Sequence, residues 1–346
     1  MFAGANGFAP IEIDASGYDL VVIDTPHFIR LKGVDRDRVL SVVHDIIPLQ
    51  DPTMSTDWRT LFLRKLEATL DTHGTMIFVS ETTRDAYYRL FPGRASEPHA
   101  IIYPPVRRKL MKLALAESAF SPGPDLSGFF NHHQTATSKA GGEPSKPSFD
   151  QSLPYFVTPT SDEARKNVNI LIKAFRQLRG VANLVIVGQV DMNRYASQDD
   201  FQNIIGTGYI SDELKNNLIH HSAGLIFPSF SEGFGIPIIE GGILRRPVIC
   251  SRIRVFEEIS AGHALYFDPA DSTELASAVS TVLHEPEANE RRIKAFFDHI
   301  LARFSQEAMA TEIGKVLKNK GLSLASEPAP ALEATSEATA EATAEA

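Results

Sequence analysis

Residues 227–242 have the sequence FPSFSEGFGIPIIEGG, which is the most informative stretch of the chain. An apolar run ends at Phe227, a loop containing Gly233 and Gly235 follows, and Pro237 suits the first position of a helix. Glycine lets a ligand approach the backbone closely, and a helix N-terminus presents unpaired N–H groups to phosphate. The stretch therefore predicts a strand, a ligand-binding loop and a helix in succession.

Two glutamates in this stretch are candidate ligand-binding residues. Glu240 is predicted in the first turn of an otherwise apolar helix, where a buried carboxylate needs hydrogen-bonding partners such as ribose hydroxyls. Glu232 is predicted on the loop, facing a cleft. In the alternative interpretation, Glu240 only complements the helix dipole and Glu232 lies in solvent. The residue types alone favour neither interpretation.

Strands and helices alternate through the second half of the chain. Apolar runs predict buried parallel strands, amphipathic runs between them predict helices, and Ser211 with Asp212 is the predicted cap of one helix. The predicted strands cover 155–157, 184–187, 223–227 and 247–250, and the predicted helices cover 165–179, 211–221, 237–245, 273–284 and 288–320, the last in two pieces broken near Phe304. This order predicts a doubly wound parallel sheet.

The first half of the chain shows the same alternation. Its predicted strands cover 20–23, 39–43, 76–79 and 100–103, and its predicted helices cover 57–71 and 81–91. We therefore expect an α/β protein with two Rossmann-like domains facing a cleft. The predicted organisation is a first domain over 1–115, a Ser-, Gly- and Pro-rich linker over 116–150, a second domain over 151–320 whose last helix packs back on the first, and a disordered acidic tail over 321–346.

Composition limits the classes of function. The net charge is −9, and the tail accounts for five of the negative charges, which leaves −4 on the remaining residues. A mildly acidic body argues against nucleic acid as the main partner. No apolar run reaches the roughly 18 residues that a membrane-spanning helix needs, and the lone Cys250 agrees with a reducing cytoplasm.

The second half resembles the retaining GT-B glycosyltransferases of the GT4 family. The Glu-x7-Glu spacing of Glu232 and Glu240 is similar to that family's signature, and the similarity is collinear over more than a hundred residues. The segments that carry it are RKNVNILIKAF (165–175), GYISDELKNNLIHHSAGLIFPS (208–229) and RRPVICSRIRVFEEISAGHALYFDPADSTELASAV (245–279). The first half is similar in SVVHDIIPL (41–49), IFVSETTRDAYYRLFP (77–92) and AIIYPPV (100–106).

The resemblance implies roles for individual residues. It assigns the donor pyrophosphate to Arg165 and Lys166, whose charges would otherwise lie at the unfavourable end of a helix dipole. Glu232 would contact donor sugar hydroxyls, and Glu240 the ribose. The amides of Gly233, Phe234 and Gly235 would line the sugar phosphate, and His44, at the end of a strand, would contact the sugar.

Several further residues are weaker candidates. We interpret Glu258 as structural and Ser80 with Glu81 as the start of a helix, where a capping role is sufficient. His27 follows another strand. We interpret as surface features the pair His132 and His133, and the Asp35-Arg36-Asp37 string, which matches a metal-binding Asp-x-Asp pattern but lies in a polar loop.

The expected function is sugar transfer with retention of anomeric configuration, without a metal or other cofactor. The expected donor is a UDP-sugar or GDP-mannose, and the expected acceptor is a glycan or lipid-linked molecule of surface polysaccharide or lipopolysaccharide synthesis. We expect a cytoplasmic protein with peripheral membrane contact through Arg107, Arg108, Lys109 and Lys112. The alternative is an inactive GT-B-like protein that binds a nucleotide sugar or serves as a scaffold.

The first domain departs from the family pattern because it is short. The Gly4-Ala5-Asn6-Gly7 stretch has no apolar strand before it, so it does not match the family's first Gly-rich loop. A sheet that lacks its first unit exposes an apolar edge. We therefore expect a partner protein to cover the shortened first domain.

Overall fold

The computed structural model describes residues 11–25, 29–70, 74–116, 123, 126 and 150–322. The predicted linker therefore lies mostly outside the described residues, as does the tail beyond Leu322. The strands are β1 (Ile11–Asp14), β2 (Val21–Thr25), β3 (Ile29–Lys32), β4 (Val39–Val43), β5 (Thr75–Phe78), β6 (His99–Ile101), β7 (Tyr155–Pro159), β8 (Asn183–Val187), β9 (Ile204–Gly206), β10 (Gly224–Phe227), β11 (Val248–Ser251) and β12 (Leu265–Phe267).

Helices follow most of these strands, as the alternation predicts. They are α1 (Ile47–Gln50), α2 (Thr56–Leu70), α3 (Glu81–Leu90), α4 (Arg108–Leu115), α5 (Val168–Gln177), α6 (Asp212–His221), α7 (Ile236–Ile243), α8 (Arg254–Ser260), α9 (Ser272–His284), α10 (Pro286–Arg303) and α11 (Gln306–Asn319). None of the helices in the described ranges is long and apolar enough to cross a bilayer.

The first four-stranded sheet has the order β2-β4-β5-β6, and all its strands are parallel. These are the four strands that the apolar runs predict. The strand β2 forms one edge, where the side chain of Val22 is exposed. A separate parallel pair, β1 with β3, was not predicted, because its residues alternate apolar with charged instead of forming a continuous apolar run.

The second sheet has six parallel strands in the order β12-β11-β10-β7-β8-β9. Alternate strand residues face two cores. Helices α5 and α9 cover one face, where Phe156 and Ile226 are buried. Helices α7 and α10 cover the other, where Val157 and Leu225 are buried. Both faces are covered, so the strands are apolar throughout, which is why the sequence identifies them.

The strand order reverses between β7 and β10. From β7 the sheet continues to β8 and β9 on one side, whereas β10, β11 and β12 lie on the other. The connections after β7 and β10 therefore diverge and leave a crevice at the carboxyl ends of these strands, the usual ligand site of a doubly wound sheet. The connection after β10 is the 228–235 loop, and the connection after β7 contains Arg165 and Lys166.

The two large sheets are joined by direct packing. Val316 on α11 is buried against Leu40 and Ile77 of the first sheet. The backbone N–H of Val106 donates to the carbonyl of Phe304, at 2.7 Å. Helix α3 packs against α8. The loops at the crevice therefore face the carboxyl ends of the first sheet.

Candidate active site

The cations Arg165 and Lys166 lie in a single 3₁₀ turn, Ala164–Lys166, and not in the first turn of a helix as predicted. Helix α5 begins only at Val168, because Asn167 adopts a left-handed conformation with φ 56°. The side-chain amide of Asn167 donates to the carbonyls of Pro228 (3.2 Å) and Pro269 (2.8 Å). Asn167 thus fixes the turn against the loop after β10.

Glu232 joins both cations. Its Oε1 lies 2.7 Å from Lys166 Nζ and its Oε2 lies 2.9 Å from Arg165 Nη1. The three side chains are 11%, 14% and 19% exposed respectively, so the cluster is largely screened from solvent. Burial acts to lower the pKa of Arg165, but Glu232 and the neighbouring Glu163 outweigh it and raise that pKa above its usual value. Arg165 therefore stays charged beside the crevice.

The backbone of the 233–235 loop packs closely against neighbouring protein atoms. A Cβ built on Gly233 would overlap the carbonyl oxygen of His44, so only glycine allows the loop to lie this close to the first sheet. Gly235 has φ 123° and precedes α7, which favours glycine there as well. Phe234 is buried, with its ring 6.0 Å from that of Tyr103, so its side chain anchors the loop.

Glu240 lies in the second turn of α7, and the prediction of a first-turn position was wrong. The helix begins at Ile236, one residue before the proline, which makes Glu240 its fifth residue. Its carboxylate is buried and accepts from Lys215 Nζ at 2.8 and 3.0 Å. Because it is too far along the helix to complement the dipole, the ion pair accounts for its burial.

Lys215, the partner of Glu240, was not among the predicted candidates. It lies on α6, where it is also 3.4 Å from Asp212. Its helical spacing to Leu218 and Ile219, which are buried in the core, could have indicated an inward position. Beside the pair, a cavity of about 580 Å³ separates α4 from α6, and Glu240 lines it.

His44 follows β4 at the carboxyl edge of the first sheet, as predicted. Its imidazole Nε2 pairs with the carboxylate of Asp24 at the end of the neighbouring strand β2, and its side chain remains exposed. The next residue, Asp45, is half-buried, and burial raises the pKa of its carboxyl group. Asp45 and Glu232 line a cavity of about 140 Å³ between the two sheets. Asp45 was not among the predicted candidates.

The remaining candidates have distinct positions. Ser80 caps α3, and its hydroxyl also donates to the carbonyl of Gly233 at 2.8 Å. Glu258 accepts from the first amides of the same helix. Asp35, Arg36 and Asp37 are exposed before β4, as expected of surface residues. His27, His132 and His133 lie outside the described residues.

The site combines two cations, a glycine loop and a helix N-terminus at one crevice. Backbone N–H groups and positive charge together suit a diphosphate. The partly buried carboxylate of Glu232 and the buried one of Glu240 suit hydroxyl groups. This arrangement can bind a phosphorylated sugar and neutralise charge on a departing phosphate.

Comparisons with known proteins agree with this arrangement. Residues 143–299 match the family described as glycosyl transferases group 1. The chain is 31% identical over 169 residues to the O-antigen chain mannosyltransferase RfbU of Salmonella typhimurium. The aligned region covers 47% of this chain and 46% of RfbU. It is 24% identical over 261 residues to the O-antigen chain mannosyltransferase B of Escherichia coli. This aligned region covers 72% of this chain and 62% of mannosyltransferase B. The match thus spans less than half the length of RfbU.

Solved structures share the fold. Sucrose-phosphate synthase from Thermosynechococcus elongatus superposes with a TM-score of 0.61 at 19% identity, over 81% of this chain and 67% of the synthase. Anabaena HepE in complex with UDP and glucose superposes with a TM-score of 0.59 at 16% identity, over 81% of this chain and 71% of HepE. The chain therefore has the GT-B fold, and residues 143–299 are similar to the glycosyl transferases of group 1.

Proposed function

We propose that the protein moves a sugar from a nucleotide-sugar donor to a glycan or lipid-linked acceptor, with retention of anomeric configuration. The observation that carries the proposal is the cluster of Arg165, Lys166 and Glu232 at the crevice, beside the glycines of the 233–235 loop. A nucleotide sugar brings the groups that this cluster suits, namely a diphosphate and sugar hydroxyls.

In this proposal, charge neutralisation drives the reaction. The bond between the sugar C1 and the phosphate oxygen breaks, and the acceptor hydroxyl forms the new bond on the same face and passes its proton to the departing phosphate. Arg165 and Lys166 stabilise the charge that develops on the diphosphate. No metal is needed for that role, so we propose metal-independent transfer.

The remaining site residues bind the donor. The amides of Gly233, Phe234 and Gly235 take the sugar phosphate, Glu232 takes sugar hydroxyls and His44 contacts the sugar. Glu240 takes the ribose, and because its carboxylate is already held by Lys215, we expect Lys215 to keep it oriented. Lys215 is thus part of the proposed nucleotide site.

GDP-mannose is the donor that we rank first. The relatives named above are mannosyltransferases, which supports a mannose donor. UDP-glucose ranks second, because HepE binds it. The O-antigen names of the relatives support an acceptor in surface polysaccharide or lipopolysaccharide synthesis, at the cytoplasmic face of the membrane. The exposed cations of α4 and of Arg107 before it would contact that surface.

A second candidate function is nucleotide-sugar binding or scaffolding without turnover. It is favoured by the internal pairing of both glutamates, since Glu232 and Glu240 already have cationic partners within the chain. A partner protein at the β2 edge, with its exposed Val22, would suit this role.

The test is a calorimetric titration of the purified chain with GDP-mannose, UDP-glucose and UDP-N-acetylglucosamine, followed by assay of free nucleotide. Binding of one donor with slow nucleotide release supports the transferase. Binding without release, even with a lipid and glycan extract as acceptor source, supports the second candidate. Failure to bind any nucleotide sugar in a widened panel contradicts the transferase and favours the scaffolding form of the second candidate.

A further inference from the structure

The N-terminus of α3, in the first half of the chain, is capped by a carboxylate from the second half. Glu258 on α8 accepts from the backbone N–H groups of Glu81 (2.7 Å) and Thr82 (2.9 Å), and from the hydroxyl of Thr82 (2.6 Å). Tyr103 donates to the same carboxylate at 3.1 Å. Free N–H groups at a helix start attract an anion, so this contact is charge-assisted.

Two hydroxyls at the N-terminus of the same helix bind the 233–235 loop. Ser80 Oγ and Thr83 Oγ1 donate to the carbonyl of Gly233, at 2.8 and 3.0 Å. Both side chains are buried, so water has little access to the two hydroxyls. Ser80 also accepts from the N–H of Thr83 at 2.9 Å, which fixes the two hydroxyls relative to the helix.

The geometry of the peptide bond links the hydrogen bonds at the Gly233 carbonyl to the proposed site. The carbonyl of Gly233 and the N–H of Phe234 belong to one planar peptide and point in opposite directions. Fixing the carbonyl on α3 therefore fixes the direction in which the N–H of Phe234 points. That N–H is one of the loop amides that, in the proposed function, bind the sugar phosphate.

A third contact joins the same two helices. Arg254 at the start of α8 pairs with Asp85 on α3. Helix α3 thus contacts α8 through an ion pair and a carboxylate on its N-terminus, and contacts the loop carbonyl of Gly233 through two hydroxyls. Tyr103 remains a donor to Glu258, because burial and then the Glu258 charge raise its pKa to about 12.

We propose that Thr83, Ser80 and Glu258 are positioning residues of a closure latch, which assembles the 233–235 loop for the donor only when the two halves of the chain are closed together. The α3 latch comprises these three residues and Gly233. In the open state the Gly233 carbonyl loses both donors and the loop amides lose their fixed direction. The inference rests on the proposed function, because it assigns the loop amides to the donor.

The test uses the full chain with two spin labels, introduced by Glu67→Cys on α2 and Lys173→Cys on α5, both exposed positions. Cys250 is fully buried and does not compete for the label. The latch variants are Thr83→Val, which removes only the hydroxyl, and Glu258→Gln, which removes only the charge. Thr83→Ser keeps the hydroxyl and is the matched control.

Three measurements follow on each variant. Pulsed electron resonance gives the distance between the labels, hydrogen exchange gives the opening of the 228–236 segment, and calorimetry gives donor affinity. In the Thr83→Val/Glu258→Gln double variant we expect a longer and broader distance distribution, exchange in the segment at least tenfold faster, and donor affinity at least tenfold weaker. Thr83→Ser should match the parent in all three.

Two results would overturn the latch. One is a distance distribution in the double variant equal to that of the parent. The other is an opened distance with unchanged exchange in residues 228–236 or unchanged donor affinity, which would show that α3 joins the two halves without positioning the loop. The parent chain could instead show the short distance and the protected segment but bind no nucleotide sugar. That result would contradict the proposed function and, with it, the positioning role. The distances between the labels would still decide whether the contact closes the cleft.

Discussion

The ammonium of Lys166 lies 2.7 Å from Oε1 of Glu232, although the two residues are 66 positions apart in the chain. Their contact joins the loops that follow the two strands at which the order of the second sheet reverses. Arg165 bonds the other oxygen of the same carboxylate. A single carboxylate thus holds two cations in place at the crevice.

Lys166→Ala should weaken binding of GDP or UDP by about 10- to 100-fold, since a hydrogen bond to a charged group contributes about 1.5–3 kcal/mol. Glu232 keeps Arg165, so the chain should still fold. The measurement is a calorimetric titration with the nucleoside diphosphate. Lys173→Ala removes the same charge from an exposed position on α5 and should leave affinity unchanged. Equal affinity in the Lys166 and Lys173 variants would show that Lys166 does not bind the diphosphate.

Lys215→Met should lower the free energy of unfolding by about 3 kcal/mol, because it leaves the buried Glu240 carboxylate without its cation. Adding Glu240→Gln to this variant should restore most of that stability but weaken donor binding further. Urea unfolding and calorimetry measure the two effects. Glu290→Gln, on the exposed face of α10, is the control. A double variant no more stable than Lys215→Met alone would show that the ion pair is not what stabilises Glu240.

Gly233→Ala should abolish turnover while both sheets remain folded. The added Cβ overlaps the carbonyl of His44, so the loop must withdraw from the first sheet. The measurements are nucleotide release and far-ultraviolet circular dichroism. Gly314→Ala places its Cβ in open space on α11 and should stabilise the chain by about 0.5–1 kcal/mol. Full activity in the Gly233 variant would contradict the close approach of the loop.

Asp200 should make folding depend on acidity. Its buried carboxylate is held by Arg176 at 2.8 Å through both oxygens, and these bonds lower its pKa from 3.8 to about 2. A lowered pKa stabilises the fold above the unfolded value, so the contribution is present above pH 4 and lost as the pH falls through about 2. Asp200→Asn should therefore cost about 2 kcal/mol at pH 7 and little at pH 2. Urea unfolding at both pH values measures this, and a loss that does not depend on pH would contradict the assignment.

Sequence patterns could predict the sheets because each central strand is buried on both faces. The strands β9 and β12 were missed, since three apolar residues do not form a distinctive run. The glycine loop was predicted because glycine and proline act locally. Asn167 was not recognised as the residue that separates Arg165 and Lys166 from α5, because its left-handed conformation depends on bonds to two distant carbonyls.

Long-range partners could not be predicted from local spacing. The partner of Glu240 is a lysine 25 positions away, and the sequence indicates only that Lys215 has helical spacing to apolar residues. Glu258 was interpreted as structural, but its contact with α3 depends on how the two halves of the chain meet. Such contacts follow from tertiary packing, which no run of neighbouring residues encodes.

The most direct test of the central claim is the rate at which the chain releases nucleoside diphosphate from GDP-mannose, measured with a lipid and glycan extract as acceptor source and repeated with UDP-glucose. We predict release from one of these donors, at a rate at least 100-fold lower in the Arg165→Ala/Lys166→Ala double variant. Release at the same rate by that variant, or no release from any nucleotide sugar, would contradict sugar transfer at this site.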